Sequence, residues 1–85
     1  MITFTKVDNN THVFHEIPKL TTPKVEYNMY CNGQFVGHTY GQHNGLLTVN
    51  LCGQGNHAFN VSDIECYLTK SISIHELFSI GKIIA

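Results

Sequence analysis

The chain has 85 residues, of which 42% are hydrophobic and 13% charged, and its net charge is −1. This length fits one domain spanning residues 1–85, and the hydrophobic content excludes an intrinsically disordered chain. The sequence contains five lysines and no arginine. Direct nucleic-acid binding is therefore disfavoured, because phosphate and base recognition rely heavily on guanidinium groups. A weakly charged surface resists association poorly, so we expect a protein partner or a homodimer.

The cellular location is predicted from targeting signals and cysteine usage. No apolar segment of signal-peptide type follows Met1, and no apolar run approaches the roughly 20 residues of a membrane helix. Cys31, Cys52 and Cys66 are odd in number and widely spaced, which favours reduced thiols. We expect a cytoplasmic protein that does not associate with membranes.

Residues 1–17 predict an N-terminal hairpin. Two segments rich in apolar residues flank Asp8, Asn9 and Asn10, which are typical turn residues. Pro18 and Pro23 then bracket a connector that suits neither a helix nor a central strand.

Residues 24–52 predict a three-stranded meander. Its two turns are Asn32-Gly33 and Asn44-Gly45, each between alternating apolar residues. A type I′ turn requires positive φ at both central positions, which Asn and Gly tolerate best. The third strand should place its leucines and valine on one face: Leu47, Val49 and Leu51.

Pairing across the first turn predicts two unlike faces. The expected partners are Cys31 with Gln34, Met29 with Val36, Tyr27 with His38, and Val25 with Tyr40. This mostly apolar face should meet the core. The opposite face places Tyr30 against Phe35. We expect a second layer to cover this aromatic pair, and the alternative is an exposed binding surface.

Glycines at positions 37 and 41 share one face of the second strand, where they allow sharp bending. Strong curvature of this kind is typical of a small barrel.

The remainder of the chain predicts short strands and one helix. Final strands are expected over residues 57–70. The capping-box spacing from Ser62 to Glu65 predicts a single helical turn followed by a short strand over 65–68, and the alternative is that Ser62 starts a longer helix. A second capping box, Ser73 to Glu76, predicts an amphipathic helix over 74–80. Residues 82–85 should dock as an edge strand or in an interface.

Three segments resemble parts of small SH3-like barrels, including Sm-like proteins: NGQFVG, LLTVNL and FNVSDIECYL. The resemblance covers residues 25–68 and applies to architecture alone, since the Arg-Gly of the last Sm strand is missing and Asn50 is a loose match. The fold class expected is mainly β with a minor α part. It would be a curved antiparallel sheet or SH3-like barrel of five to seven strands, with one short C-terminal helix.

The six histidines raise the question of a metal site. His12 and His15 should point to opposite faces of a strand, which weakens that pair. His38 and His43 have a spacing found in zinc pairs, but no Cys-x₂-Cys motif accompanies them. A zinc-stabilised domain is one alternative. We expect no cofactor or metal.

Catalytic signatures are also missing from the sequence. The three cysteines lie in apolar segments typical of inert buried thiols, and the glycines at 53 and 55 do not form a nucleotide-binding loop. We therefore expect no enzymatic activity.

The leading hypothesis is a small binding protein that acts through protein–protein interaction. Tyr and His side chains near hairpin tips supply rigid, amphipathic contacts. The candidate interface residues are Tyr30, Phe35, His38, Tyr40, His43 and Asn44. The size and style of the chain are similar to those of small phage or mobile-element inhibitors that block host defence enzymes such as a CRISPR nuclease complex. The expected partner is then a host nucleoprotein complex.

The alternative hypothesis is a nucleic-acid-binding small barrel. In that case Phe35, Tyr40 and Phe59 would stack on bases.

Overall fold

The computed structural model of the chain describes residues 1–68, 70 and 72–84. One open antiparallel sheet contains seven strands in the order β2-β1-β3-β4-β5-β6-β7. The strands are β1 (Ile2–Lys6), β2 (Asn9–Phe14), β3 (Tyr27–Cys31), β4 (Gln34–His43), β5 (Leu46–Leu51), β6 (Gly55–Asn60) and β7 (Lys82–Ile84). The described helices are α1 (Val61–Tyr67) and α2 (Ile74–Ile80). The expected mainly β class is confirmed, with 51% strand and 17% helix.

The hydrophobic core lies between the helices and one face of the sheet, which we call the inner face. Leu47, Val49 and Leu51 are fully buried there, as the alternation in the third strand predicts. Ile64 of α1 and Leu77 of α2 belong to the same core cluster and are also fully buried. Complete burial of a side chain of this size stabilises the fold by about 1.5–3 kcal/mol.

Both Asn-Gly turns have the expected geometry. Asn32 and Gly33 have φ values of 51° and 81°, and Asn44 and Gly45 have values of 51° and 75°. These four positive values are those of type I′ turns, whose twist matches that of the flanking strands.

The sheet does not close into an SH3-like barrel, the other architecture that the sequence allowed. β1 pairs with β3 along its whole length, from Ile2 opposite Cys31 to Lys6 opposite Tyr27. Closure of the seven strands would require β2 to pair with β7, and the described strands do not make that pairing. In the described part of the chain, β2 and β7 are the two edge strands of the sheet.

The prediction of a short strand over residues 65–68 is wrong, because α1 occupies this region up to Tyr67. The N-cap is Asn60, whose Oδ1 accepts a hydrogen bond from the Ser62 backbone N–H at 3.0 Å. The Ser62 hydroxyl instead donates to Asn60 Oδ1 at 2.7 Å. Val61 and Ile64 are buried at a spacing of three residues, so the apolar pattern is helical.

The predicted helix over 74–80 is confirmed as α2. Ser73 Oγ accepts from the Glu76 backbone N–H at 3.1 Å, as in a capping box. Gly81 follows the helix with φ −76°, outside the left-handed region. A Cβ at this position would lie 2.6 Å from Cε1 of Phe59. Glycine is therefore needed here for close packing of the helix end on β6.

The C-terminal residues 82–84 form an edge strand, β7, which pairs with β6. Ile83 is 76% exposed on this edge. Two residues of predicted strands lie outside the described residues: Thr69 of the final strands and Ala85 of the edge strand. None of the described helices has the length and hydropathy needed to cross a membrane.

Candidate functional site

A β-bulge in β4 changes which side chains of this strand face solvent. Tyr30 pairs with Phe35, but Met29 pairs with Gly37, so that Val36 is an extra residue on β4. Val36 and Gly37 are both buried. The alternation of faces is therefore shifted by one residue beyond this point.

The register predicted from the sequence is wrong beyond this bulge. Tyr27 pairs with Thr39 rather than with His38, and Thr39 is buried in place of its neighbour. His38 and Tyr40, which the sequence placed on the core face, consequently lie on the opposite face, which we call the outer face. Tyr40 is 50% exposed.

A second bulge in β4 shifts the alternation again. Thr39 pairs with Val49, but Gln42 pairs with Leu47, which leaves one extra residue on β4. The bulge includes Gly41, whose φ is 101°. Beyond it, His43 pairs with Leu46, and both side chains are exposed.

Together the two bulges bring four β4 side chains to one face. In a regular strand, positions 35 and 43 would face away from positions 38 and 40. With Tyr30 of β3, these residues form what we call the outer aromatic surface: Tyr30, Phe35, His38, Tyr40 and His43.

Edge-to-face contacts order one end of this surface. The Tyr30 and Phe35 ring centroids are 5.8 Å apart, and those of Phe35 and His38 are 5.1 Å apart. His38 Nδ1 lies 3.5 Å from Glu26 Oε1. His38 thus contacts the Phe35 ring and the Glu26 carboxylate.

The expected cover over the aromatic pair is absent in the described part of the chain. Phe35 remains 38% exposed, and Tyr30 is half-buried. The two helices contribute to the core cluster on the inner face. The alternative, an exposed aromatic surface, is the arrangement observed.

An open groove of about 360 Å³ runs beside the outer aromatic surface. Its wall is the connector before β3, and its floor comes from β4, β5 and β6. We call it the outer groove. It is lined by Leu20, Lys24, His38, Thr39, Tyr40, Gly41, His43, Leu46, Thr48, Asn50 and Asn56.

The connector is held in place by backbone hydrogen bonds to Gln42. The Leu20 N–H donates to the Gln42 carbonyl at 2.9 Å, and the Gln42 N–H donates to the Pro18 carbonyl at 2.8 Å. A Cβ at Gly41 would lie 2.8 Å from backbone atoms of this connector. Gly41 therefore permits both the bulge and the close approach that forms the groove wall.

Polar side chains on the floor of the groove come from β5 and β6. The Asn50 side chain donates from Nδ2 to Asn56 Oδ1 at 3.0 Å. Lys24 Nζ lies 5.7 Å from the centroid of the Tyr40 ring. Lys24, Asn50 and Asn56 were not among the interface residues predicted from the sequence. The signal that could have indicated an exposed polar face was the alternation in β5, where polar positions 48 and 50 lie between buried apolar ones.

Asn44 has a different place from the other predicted interface residues. It lies in the turn between β4 and β5 with positive φ, and its Nδ2 is 3.2 Å from His43 Nε2. Asn44 shapes the turn and contacts a groove residue, but it does not line the groove itself.

Phe59 cannot stack on bases as the alternative hypothesis required. It is fully buried in the core and lies against the end of α2. Of the three predicted stacking residues, Phe35 and Tyr40 remain accessible.

The described residues contain no group of three or more His, Cys, Asp or Glu side chains arranged to hold a metal ion. Cys31 is buried, and its thiol donates to the Ile72 carbonyl at 3.3 Å. Burial raises the pKa of the Cys31 thiol above its usual value. Cys52 and Cys66 are exposed free thiols, so the prediction of a buried thiol is wrong for these two cysteines.

His57 is the buried histidine of the described chain, and its Nδ1 has no hydrogen-bond partner there. Its ring stacks with that of Phe59, with centroids 6.4 Å apart. This imidazole lies on the inner face and takes no part in the outer groove.

Comparisons with protein-family models, with curated proteins and with solved structures found no match to this chain.

Proposed function

We propose that this protein is a non-enzymatic binding protein whose outer aromatic surface and outer groove contact another protein. The observation that carries this proposal is the double bulge of β4, which gathers Phe35, His38, Tyr40 and His43 on one open face. Bulges that redirect side chains are frequent at functional positions.

The composition of this surface also supports a protein partner. Tyr and Phe rings are enriched at protein interfaces, because they bury a large area while losing few side-chain rotations. The exposed Leu46 continues the apolar area next to Tyr40. Neutral amides at Asn50 and Asn56 provide hydrogen-bonding groups at its margin.

We further propose that the partner belongs to a host defence system, as in the inhibitors encoded by phages and mobile elements. This step rests on the proposed binding surface, by analogy with such inhibitors. Its partner would be a nucleoprotein complex such as a CRISPR nuclease.

Affinity capture followed by mass spectrometry tests the protein-binding proposal. The protein is immobilised and incubated with a lysate of its source cells, in parallel with the double variant Phe35→Ala/Tyr40→Ala. We expect specific proteins that the wild type retains and the variant loses, because truncation of aromatic anchors removes much of the binding energy.

The control variant is Val13→Ala, which removes an exposed apolar side chain on β2, far along the sheet from the groove. It should retain the same proteins as the wild type. Equal retention by the wild type and the double variant, with both folded by circular dichroism, would contradict the proposal.

A nucleic-acid-binding function is the second candidate, favoured by the exposure of Phe35 and Tyr40. It predicts affinity for single-stranded RNA or DNA that weakens as salt rises. A gel shift with no binding at low salt would remove it.

A further inference from the structure

The outer groove combines a lysine and neutral polar side chains with the apolar side chains Leu20, Tyr40 and Leu46. Lys24 supplies a positive charge, and among the described residues that line the groove none is Asp or Glu. Glu26 lies outside this lining and has its own partner, His38. A negatively charged ligand that enters the groove therefore meets no carboxylate that would repel it in the described lining.

Lys24 occupies the position from which an anion would be held. Its ammonium group lies 5.7 Å from the centroid of the Tyr40 ring, and Lys24 is exposed. The ring attracts the cation weakly from below, while the solvent side of the ammonium group remains accessible. An incoming carboxylate can pair with Lys24 while an adjacent apolar group rests on the ring.

The apolar part of the groove is close to this lysine. Tyr40 and Leu46 are 50% and 47% exposed, respectively, and Leu20 of the connector is half-buried. The groove volume of about 360 Å³ is near the lower end of ligand sites, which span roughly 300–1,000 Å³. It suits a few consecutive side chains of an extended peptide.

We propose that the outer groove binds a short extended peptide segment of the partner that carries an Asp or Glu next to an apolar residue. The acidic side chain pairs with Lys24, and the apolar side chain packs on Tyr40 and Leu46. This inference rests on the proposed protein-binding function and adds the chemistry of the partner.

Charge complementarity favours a peptide over a nucleic-acid strand. Single-stranded nucleic acids bind in grooves whose several cations follow the phosphate backbone. Lys24 is the single lysine of the described lining. One fixed charge fits one carboxylate better than a row of phosphates.

Fluorescence anisotropy with synthetic peptides tests the proposal. The probe is a fluorescein-labelled, end-capped peptide containing Asp-Leu-Phe, and its matched control contains Asn-Leu-Phe. We expect the acidic peptide to bind roughly 3- to 10-fold more tightly, as for a partly exposed ion pair beside an apolar contact. This preference should shrink at high salt.

Two lysine variants locate the effect. Lys24→Gln should abolish the preference for the acidic peptide, whereas Lys70→Gln, at an exposed lysine after α1, should leave it unchanged. Amide chemical-shift changes on adding the acidic peptide should concentrate on β4, β5 and β6, because these strands supply the floor.

Equal binding of the two peptides, or binding that survives Lys24→Gln with its preference intact, would overturn the proposal. Tighter binding of an oligouridylate than of the acidic peptide would also overturn it and assign the groove to nucleic acid. If affinity capture depends on Phe35 and Tyr40 but not on Lys24, the protein-binding function stands and this inference fails.

Discussion

At the scale of single residues, Gly37 and Gly41 decide where the side chains of the outer aromatic surface point. Gly37 is buried at the first bulge, and a Cβ there would overlap the backbone oxygen of Asn50. Gly41 has positive φ and touches the connector. The spacing of these two glycines predicted a curved strand. In the structure, each glycine lies at a local change of register in β4.

Burial also separates the three cysteines at this scale. Cys31 is 2% exposed and its pKa is raised by burial, whereas Cys52 and Cys66 are exposed. Because the thiolate is the reactive form, we expect Cys31 to be alkylated far more slowly than the other two in the folded protein. Mass spectrometry of digests after timed iodoacetamide treatment measures the three rates.

The same experiment in denaturant is the control, since all three thiols should then react at similar rates. Modification of Cys31 as fast as that of Cys52 in the native protein would show that the core around β3 is open.

At the scale of elements, the helices show how local signals compete. The capping box at Ser73 correctly predicted α2, because an apolar helical face follows it directly. The similar signal at Ser62 was misplaced by two residues, and the cap is Asn60 at the end of β6. Strand and helix thus join without a connecting loop, and Asn60 terminates one while it caps the other.

Substitutions at the cap distinguish these two assignments. Asn60→Ala should lower the free energy of unfolding by about 1 kcal/mol, because it removes the acceptor for the Ser62 N–H. Ser62→Ala should change it by less than about 0.5 kcal/mol, since this exposed residue only donates its hydroxyl to Asn60. Urea denaturation measures both values.

Asn60→Asp retains the side-chain acceptor and should stay close to the wild type. A larger loss for Ser62→Ala than for Asn60→Ala would contradict the assignment of the cap.

At the scale of the whole molecule, the two faces of the sheet have separate roles. The inner face and the helices bury the core, which includes Leu77 with no exposed surface. The outer face from β3 to β5 carries exposed Phe35, Tyr40 and Leu46. Stability and the proposed binding should therefore depend on different residues.

Denaturation of two variants checks this separation. Leu77→Ala should lower the free energy of unfolding by about 2–5 kcal/mol, through lost burial and a cavity. Tyr40→Ala should change it by less than about 0.5 kcal/mol, because its side chain is half-exposed and lies outside the core cluster.

Leu77→Met serves as the volume-conserving control and should cost less than about 1.5 kcal/mol. A loss for Tyr40→Ala comparable to that of Leu77→Ala would show that the outer face is part of the folding core.

The sequence by itself determined the features that depend on neighbouring residues. Asn-Gly dipeptides defined two turns because few other residues tolerate consecutive positive φ values. Alternation identified β5, and the Ser73 capping box with its apolar face identified α2. Tyr30 and Phe35 were paired correctly because they lie close to a turn, where the register has not yet changed.

The tertiary structure alone decided the features that depend on distant parts of the chain. The bulges of β4 arise where its backbone meets β5 and the connector, and they turned His38 and Tyr40 from the predicted core face to the outer face. The sheet stays open because its described edge strands, β2 and β7, do not pair with each other. The outer groove exists because the connector docks on Gln42 through backbone hydrogen bonds, which side-chain patterns in sequence do not encode.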